Sequence, residues 1–178
     1  MKILKHKAQK IKWFIMDVDG VLTDGKIIYD NMGNELKNFS VKDGLGIALL
    51  HRAGIKTAII TGRNSDIVIK RAKELKISEI AQNADNKLKI YKSLKDKYRF
   101  KDEEALYIGD DYNDLPVLRK VGFPATVPSA PDLVKKECIY ITEKDGGDGA
   151  VRELAELILN FQGKLEKAIK DFLGDGSR

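Results

Sequence analysis

The chain has 178 residues, 43% of them apolar and 33% charged, which suits one globular domain and is too apolar for a disordered chain. Lys and Arg number 32 against 27 Asp and Glu, for a formal net charge of +5. The basic residues are interleaved with acidic ones and aromatics make up only 7%, so nucleic-acid binding is not expected.

No apolar run approaches the roughly 20 residues of a bilayer-spanning helix. The basic start, Met1 to Lys12, lacks the apolar stretch and small-residue site of a secretory signal. Cys138 stands alone, which leaves no intrachain disulfide and no cysteine zinc site. The expectation is a cytoplasmic protein with no membrane partner.

In chain order, short apolar runs alternate with amphipathic stretches, the pattern of β-α units around a parallel sheet. Trp13 to Met16 reads as the first strand. Lys26 to Tyr29 and Glu35 to Phe39 flank the turn formers Asp30-Asn31-Met32-Gly33-Asn34, which predicts an inserted hairpin over about residues 26–39. Helices are expected over Leu45 to Arg52, Ser65 to Leu75, Asn86 to Lys97 and Asp114 to Val121, the last started by Asp114 and Pro116 and stopped by Gly122. Strands are expected over Thr57 to Ile60, Glu79 to Gln82, Ala105 to Ile108 and Tyr140 to Thr142, with a weaker one over Ala125 to Val127. Val151, Leu154, Leu157, Ile158, Phe161 and Leu165 share one stripe, which predicts a single helix from Ala150 to Leu173 and a frayed tail from Gly174 to Arg178. The fold class is therefore α/β, a Rossmann-like parallel sheet flanked by helices. One domain is expected over residues 1–178, with C-terminal helix and tail at about 150–178.

In open α/β sheets ligands gather at the carboxyl ends of the strands. There the chain carries Asp17 and Asp19, then Thr61, Gly62 and Arg63, then Gly109, Asp110, Asp111, Asn113 and Asp114, with Lys87 opening the helix after the third strand of the sheet. Asp17, Asp19 and Asp110 brought together would repel one another unless a cation compensates. Oxygen ligands without His or Cys favour Mg²⁺. Thr61, Lys87 and Arg63 suit phosphate oxygens. The combination points to phosphoryl transfer, with Asp17 as nucleophile and Asp19, two residues on, as acid and then base. Asp114 is expected to cap the helix it opens, and the role of Asp111 stays open.

Asp17 to Gly25 (DVDGVLTDG), Ile60-Thr61-Gly62-Arg63, Lys87 and Gly109-Asp110-Asp111-Tyr112-Asn113-Asp114 resemble the four ordered motifs of the haloacid dehalogenase superfamily. The resemblance implies that Asp17 is the nucleophile, Asp19 the acid/base, and Thr61 and Lys87 the phosphoryl holders. It also implies a metal held by Asp17, the backbone carbonyl of Asp19, and Asp110. Neither gap between motifs has room for a cap domain.

Within that superfamily the chain resembles the capless 3-deoxy-D-manno-octulosonate 8-phosphate phosphatases of lipopolysaccharide sugar synthesis, in Ser40-Val41-Lys42-Asp43-Gly44, Ile59 to Arg63, Arg71 and the tail Gly146 to Glu153. The resemblance implies a homotetramer assembled through the hairpin. It also implies substrate contacts from Ser40, Val41, Lys42, Asp43, Gly44, Gly62, Arg63, Arg71 and Asn113, besides Asp19, Thr61 and Lys87. A sister group acts on 3-deoxy-nonulosonate 9-phosphate. Arg63 and Glu74 side with the eight-carbon group, whereas Asn83 stands where Gly is usual and Ala48 where some members carry Arg. A receiver-type phosphoacceptor domain is the alternative from a different class. Arg71 could also pair with a nearby acid on its helix, and His6 and His51 are expected at the surface.

Overall fold

The computed structural model describes residues 2–174. The first half comprises α1 (Lys2–Ala8), β1 (Trp13–Met16), the hairpin strands β2 (Ile28–Tyr29) and β3 (Glu35–Leu36), α2 (Val41–Arg52), β4 (Lys56–Ile60), α3 (Asp66–Glu74) and β5 (Glu79–Ala81). The second half comprises α4 (Lys87–Tyr98), β6 (Ala105–Ile108), α5 (Leu115–Leu118), β7 (Phe123–Thr126), α6 (Asp132–Lys136), β8 (Tyr140–Ile141), α7 (Ala150–Phe161) and α8 (Leu165–Gly174).

All four residues of β1 are buried, as a central parallel strand covered on both faces requires. It pairs in parallel with β4 on one side and β6 on the other, in the sheet order β5-β4-β1-β6-β7-β8. On the helical layers, α2 packs against α7 and α8, while α4 packs against α5. Only the hairpin and α2 separate β1 from β4, and only α3 and β5 separate β4 from α4, so the capless architecture holds. Among the described residues no helix is long and apolar enough to cross a membrane.

Several elements differ from expectation for local reasons. The predicted C-terminal helix is two helices, because Gly163 takes φ +67° and Lys164 N–H bonds back to Leu159 O at 2.8 Å, closing α7. That turn folds α8 back onto α2. Gln162, at the same corner, donates to the carbonyls of Ala8 and Ile11 and so ties down α1, a short lysine-rich helix without an apolar stripe. Neither α1 nor the five-residue α6 is among the elements expected from the sequence. The hairpin ladder is only two residues per strand, Ile28 opposite Leu36 and Tyr29 opposite Glu35. His51 is half-buried rather than at the surface, with Nε2 2.7 Å from Thr57 Oγ1, and burial lowers its pKa. Gly174 ends α8, and the rest of the expected frayed tail lies outside the described residues.

Candidate active site

Because β1 lies between β4 and β6, the residues that follow these three strands are neighbours at one sheet edge. Met16 is level with Ile59 and with Ile108, and Asp17 N–H continues the ladder to Ile108 O at 3.0 Å. The chain leaves β1 for β4 on one side and reaches β6 on the other, so this edge is the switch point where such sheets bind ligands. A cavity of about 240 Å³ opens there, lined by Asp17, Asp19, Gly25, Thr61, Gly62, Arg63, Asp110, Asp111 and Asn113.

Under the cavity floor lies a buried charge network. Lys87 Nζ donates to Asp17 Oδ2 at 2.7 Å and to Asp114 Oδ1 at 2.6 Å, with the lysine side chain 1% exposed. Asn86 caps α4 by accepting from Lys89 N–H, which fixes the helix start that delivers Lys87. Asp17 Oδ1 accepts from Val18 N–H at 2.7 Å. Burial, then the charge of Asp114, raises the Asp17 pKa against the opposing pull of Lys87. Burial works against the Lys87 ammonium, but Asp17 and Asp114 outweigh it and its pKa is raised.

Asp114 departs from its expected role. Its side chain does not cap α5; instead it turns back, accepting from the N–H groups of Asp110 and Asp111 at 3.0 and 3.2 Å and from the Tyr107 hydroxyl at 2.6 Å. Asp111, left open by the sequence, caps the short turn Tyr112–Asp114 and lines the cavity.

Asp17, Asp110 and Asp114 offer carboxylate oxygens that all lie within 4.8 Å of one another. Burial, then the charge of Asp114, pushes Asp110 up to about 7 against the opposing pull of Lys87. With Lys87, Tyr107 and two amides already on Asp114, Asp17 and Asp110 are the better placed pair for a metal. Gly20, at φ +86°, lies so close to Asp110 that a Cβ there would stand 2.1 Å from Oδ2. Only glycine lets the Asp19–Gly20 backbone approach that carboxylate. The all-oxygen donor set fits Mg²⁺.

The hairpin borders the other side through charges not among the expected site residues. Lys37, just beyond β3, is ion-paired with Asp19 Oδ1, and Glu35 accepts from Arg63 Nη2 at 3.1 Å and from Ser65 Oγ at 2.5 Å. The Ser65 hydroxyl, then Lys37 and Arg63, hold Glu35 below the usual carboxylate range. The available signal was the Glu-x-Lys spacing, which sets both side chains on one face of an extended segment.

A haloacid dehalogenase-like hydrolase family model matches residues 40–122. The 3-deoxy-D-manno-octulosonate 8-phosphate phosphatase KdsC of Escherichia coli K12 is 44% identical over 162 residues, covering 91% of this chain and 86% of that protein. The chain belongs to the haloacid dehalogenase-like hydrolases. Among solved structures, the 3-deoxy-D-manno-octulosonate 8-phosphate phosphatase of Moraxella catarrhalis, in complex with magnesium, phosphate and KDO, superposes with a TM-score of 0.94 at 47% identity, covering 97% of this chain and 99% of that one. The cobalt-bound deoxy-D-mannose-octulosonate 8-phosphate phosphatase of Haemophilus influenzae gives 0.87 at 38% identity, covering 92% and 98%.

Membership in this hydrolase family makes the chain an enzyme and removes the receiver-domain alternative. The departure at Asn83 has a physical explanation: its φ is +51°, the left-handed conformation that Gly adopts freely and Asn tolerates better than most residues.

Several expected substrate contacts are not at the cavity. Ser40 caps α2 by accepting from Lys42 N–H, and Val41 is 82% exposed. Lys42 pairs with Asp148 in a separate groove. Asp43 is buried and accepts from Arg152 N–H at 2.8 Å, anchoring the start of α7, and burial pushes it up to about 6. Arg71 pairs with Glu74 at 3.2 Å and lies over Gly44, where a Cβ would come within 2.8 Å of its guanidinium. Asp43, Gly44 and Arg71 belong to the corner where α2 meets α3 and α7, and none of these six residues lines the cavity.

Proposed function

We propose that this chain is a Mg²⁺-dependent phosphomonoesterase that hydrolyses 3-deoxy-D-manno-octulosonate 8-phosphate to the free sugar acid and phosphate, in lipopolysaccharide sugar synthesis. One observation carries the reading. Asp17, Asp19, Thr61, Arg63 and Asp110 share a cavity with Lys87 beneath it, in a chain matched along nine-tenths of its length by phosphatases of that name.

In the proposed reaction Asp17 attacks phosphorus, with its carboxylate held by Lys87, and forms an aspartyl-phosphate. Asp19 protonates the leaving oxygen and then takes a proton from the water that cleaves the phosphoenzyme. Thr61 and Lys87 hold the phosphoryl group. Gly62, Arg63 and Asn113 line the sugar side, where the Arg63 guanidinium suits a carboxylate. Asp17, Asp110 and the Asp19 carbonyl would hold Mg²⁺, which supplies charge neutralisation for the phosphoryl oxygens.

Chelation and a substrate panel test this reading. With EDTA, phosphate release from the ester should fall to background and return on adding Mg²⁺. Release that ignores chelation would remove the metal from the reaction. A panel of eight- and nine-carbon sugar phosphates should show the octulosonate ester turned over best.

The proposed assembly is a homotetramer, supported by the apolar side chains the hairpin leaves exposed: Ile27, Tyr29, Met32 and Leu36. Light scattering should give the mass of four chains, and Met32→Asp should shift it towards smaller species. A wild-type monomer would end the proposal. The cytoplasm is the proposed compartment, in keeping with a chain of one cysteine.

A further inference from the structure

Lys37 is an ammonium taken out of water, its side chain 1% exposed, on a hairpin whose Tyr29 and Leu36 are open to solvent. Burying such a group is costly unless opposite charge and hydrogen-bond acceptors meet it. Asp19 Oδ1 meets it directly, and Glu35 Oε1 lies 3.4 Å away. Glu35 is itself fixed by Ser65 and Arg63, and Arg63 Nε stands 3.8 Å from the other Asp19 oxygen. The Asp19 carboxylate thus has one oxygen gripped from the hairpin and the other turned towards Arg63 and the cavity.

The geometry points to Lys37 as a positioning residue that orients Asp19 for its work on the leaving group. This rests on the acid role proposed above for Asp19. In the first step an Asp17 oxygen bonds to phosphorus while the ester P–O bond breaks. The electron pair of that bond goes to the leaving oxygen, which takes the proton of the Asp19 carboxyl. Asp19 is then a carboxylate, and the ammonium beside it meets the charge as it forms. A lysine that served only to anchor the hairpin would affect every ester alike. One that serves Asp19 matters most for an alkyl ester, whose alkoxide needs the proton, and least for an aryl ester, whose phenolate leaves without it.

The test measures kcat/KM, which reports the steps up to phosphoenzyme formation, for 3-deoxy-D-manno-octulosonate 8-phosphate and for p-nitrophenyl phosphate. Lys37→Met should lose about 100-fold on the sugar ester and less than about 5-fold on the aryl ester. Lys37→Gln keeps a donor without the charge and should show the same bias; it carries the test where Lys37→Met does not fold. Lys37→Arg, which restores a cation, should recover about 10-fold on the sugar ester. Equal losses on both esters, or none on either, overturn the proposal. Asp19→Asn examines the underlying reading on its own. If it shows the same bias while the Lys37 variants do not, only the positioning role falls; if it shows none, the acid role of Asp19 falls and the proposal with it.

Discussion

Asp17→Asn is expected to abolish turnover while leaving the fold in place. The substitution keeps the size of the side chain and its acceptor for Val18 N–H, and removes the oxygen charge proposed to attack phosphorus. Loss of a nucleophile of this kind costs on the order of 10⁴-fold or more in kcat, so phosphate release should drop to the assay floor. Stability should move little. Burial already opposes the ionised form of Asp17, which offsets the loss of its pairing with Lys87, and Lys87 keeps Asp114. A thermal midpoint within about 4 °C of wild type is the expected result. Acid-quenched wild type incubated with substrate should carry phosphate on the peptide containing Asp17, and the variant should carry none. Retained turnover, or phosphate on another peptide, would assign the attack elsewhere.

The cavity-lining acids were legible because each follows a short apolar run, and a residue just past a parallel strand has one place to go. Asp17, Thr61 and Asp110 needed no tertiary information beyond the sheet itself. Asp114 misled because an acid two residues before a proline usually caps the helix that follows. The carboxylate instead serves the turn behind it and the lysine of another helix, a choice made by the 27-residue separation from Lys87 and invisible locally. Asp43 is the same case at longer range, since its partner amide is 109 residues away. Gly163 shows the converse: one glycine in an amphipathic stretch reads as tolerated, and only the packing of α8 on α2 turns it into a break. Glu35 and Lys37 carry no local signal beyond their spacing, because the partners that give them a place, Asp19 and Arg63, lie on other segments of the chain.

Lys87→Met should damage activity and stability together. The lysine is the one cation in contact with Asp17 and Asp114 among the described residues, and both carboxylates are nearly inaccessible to water. Removing one partner of a buried pair costs about 3–5 kcal/mol, because the charges left behind are no longer compensated. For a domain of this size that corresponds to a fall in thermal midpoint on the order of 10 °C. The deficit should depend on pH in a definite direction. Asp17 and Asp110 have folded pKa values raised above their unfolded ones, so their protonated forms favour the folded state at low pH and that advantage is lost as pH rises through the folded values. Without Lys87 those values rise further. Measured with EDTA present, the gap to wild type should therefore narrow as pH falls from about 8 to about 5. Adding Asp114→Asn to Lys87→Met removes one of the stranded charges, and its amide can still accept from the Asp110 and Asp111 N–H groups. The double variant should regain part of the lost stability and none of the activity, because the ammonium that pairs with Asp17, and is proposed to hold the phosphoryl group, is still missing. A double variant no more stable than Lys87→Met alone would show that packing around the lysine stem, rather than uncompensated charge, sets the loss.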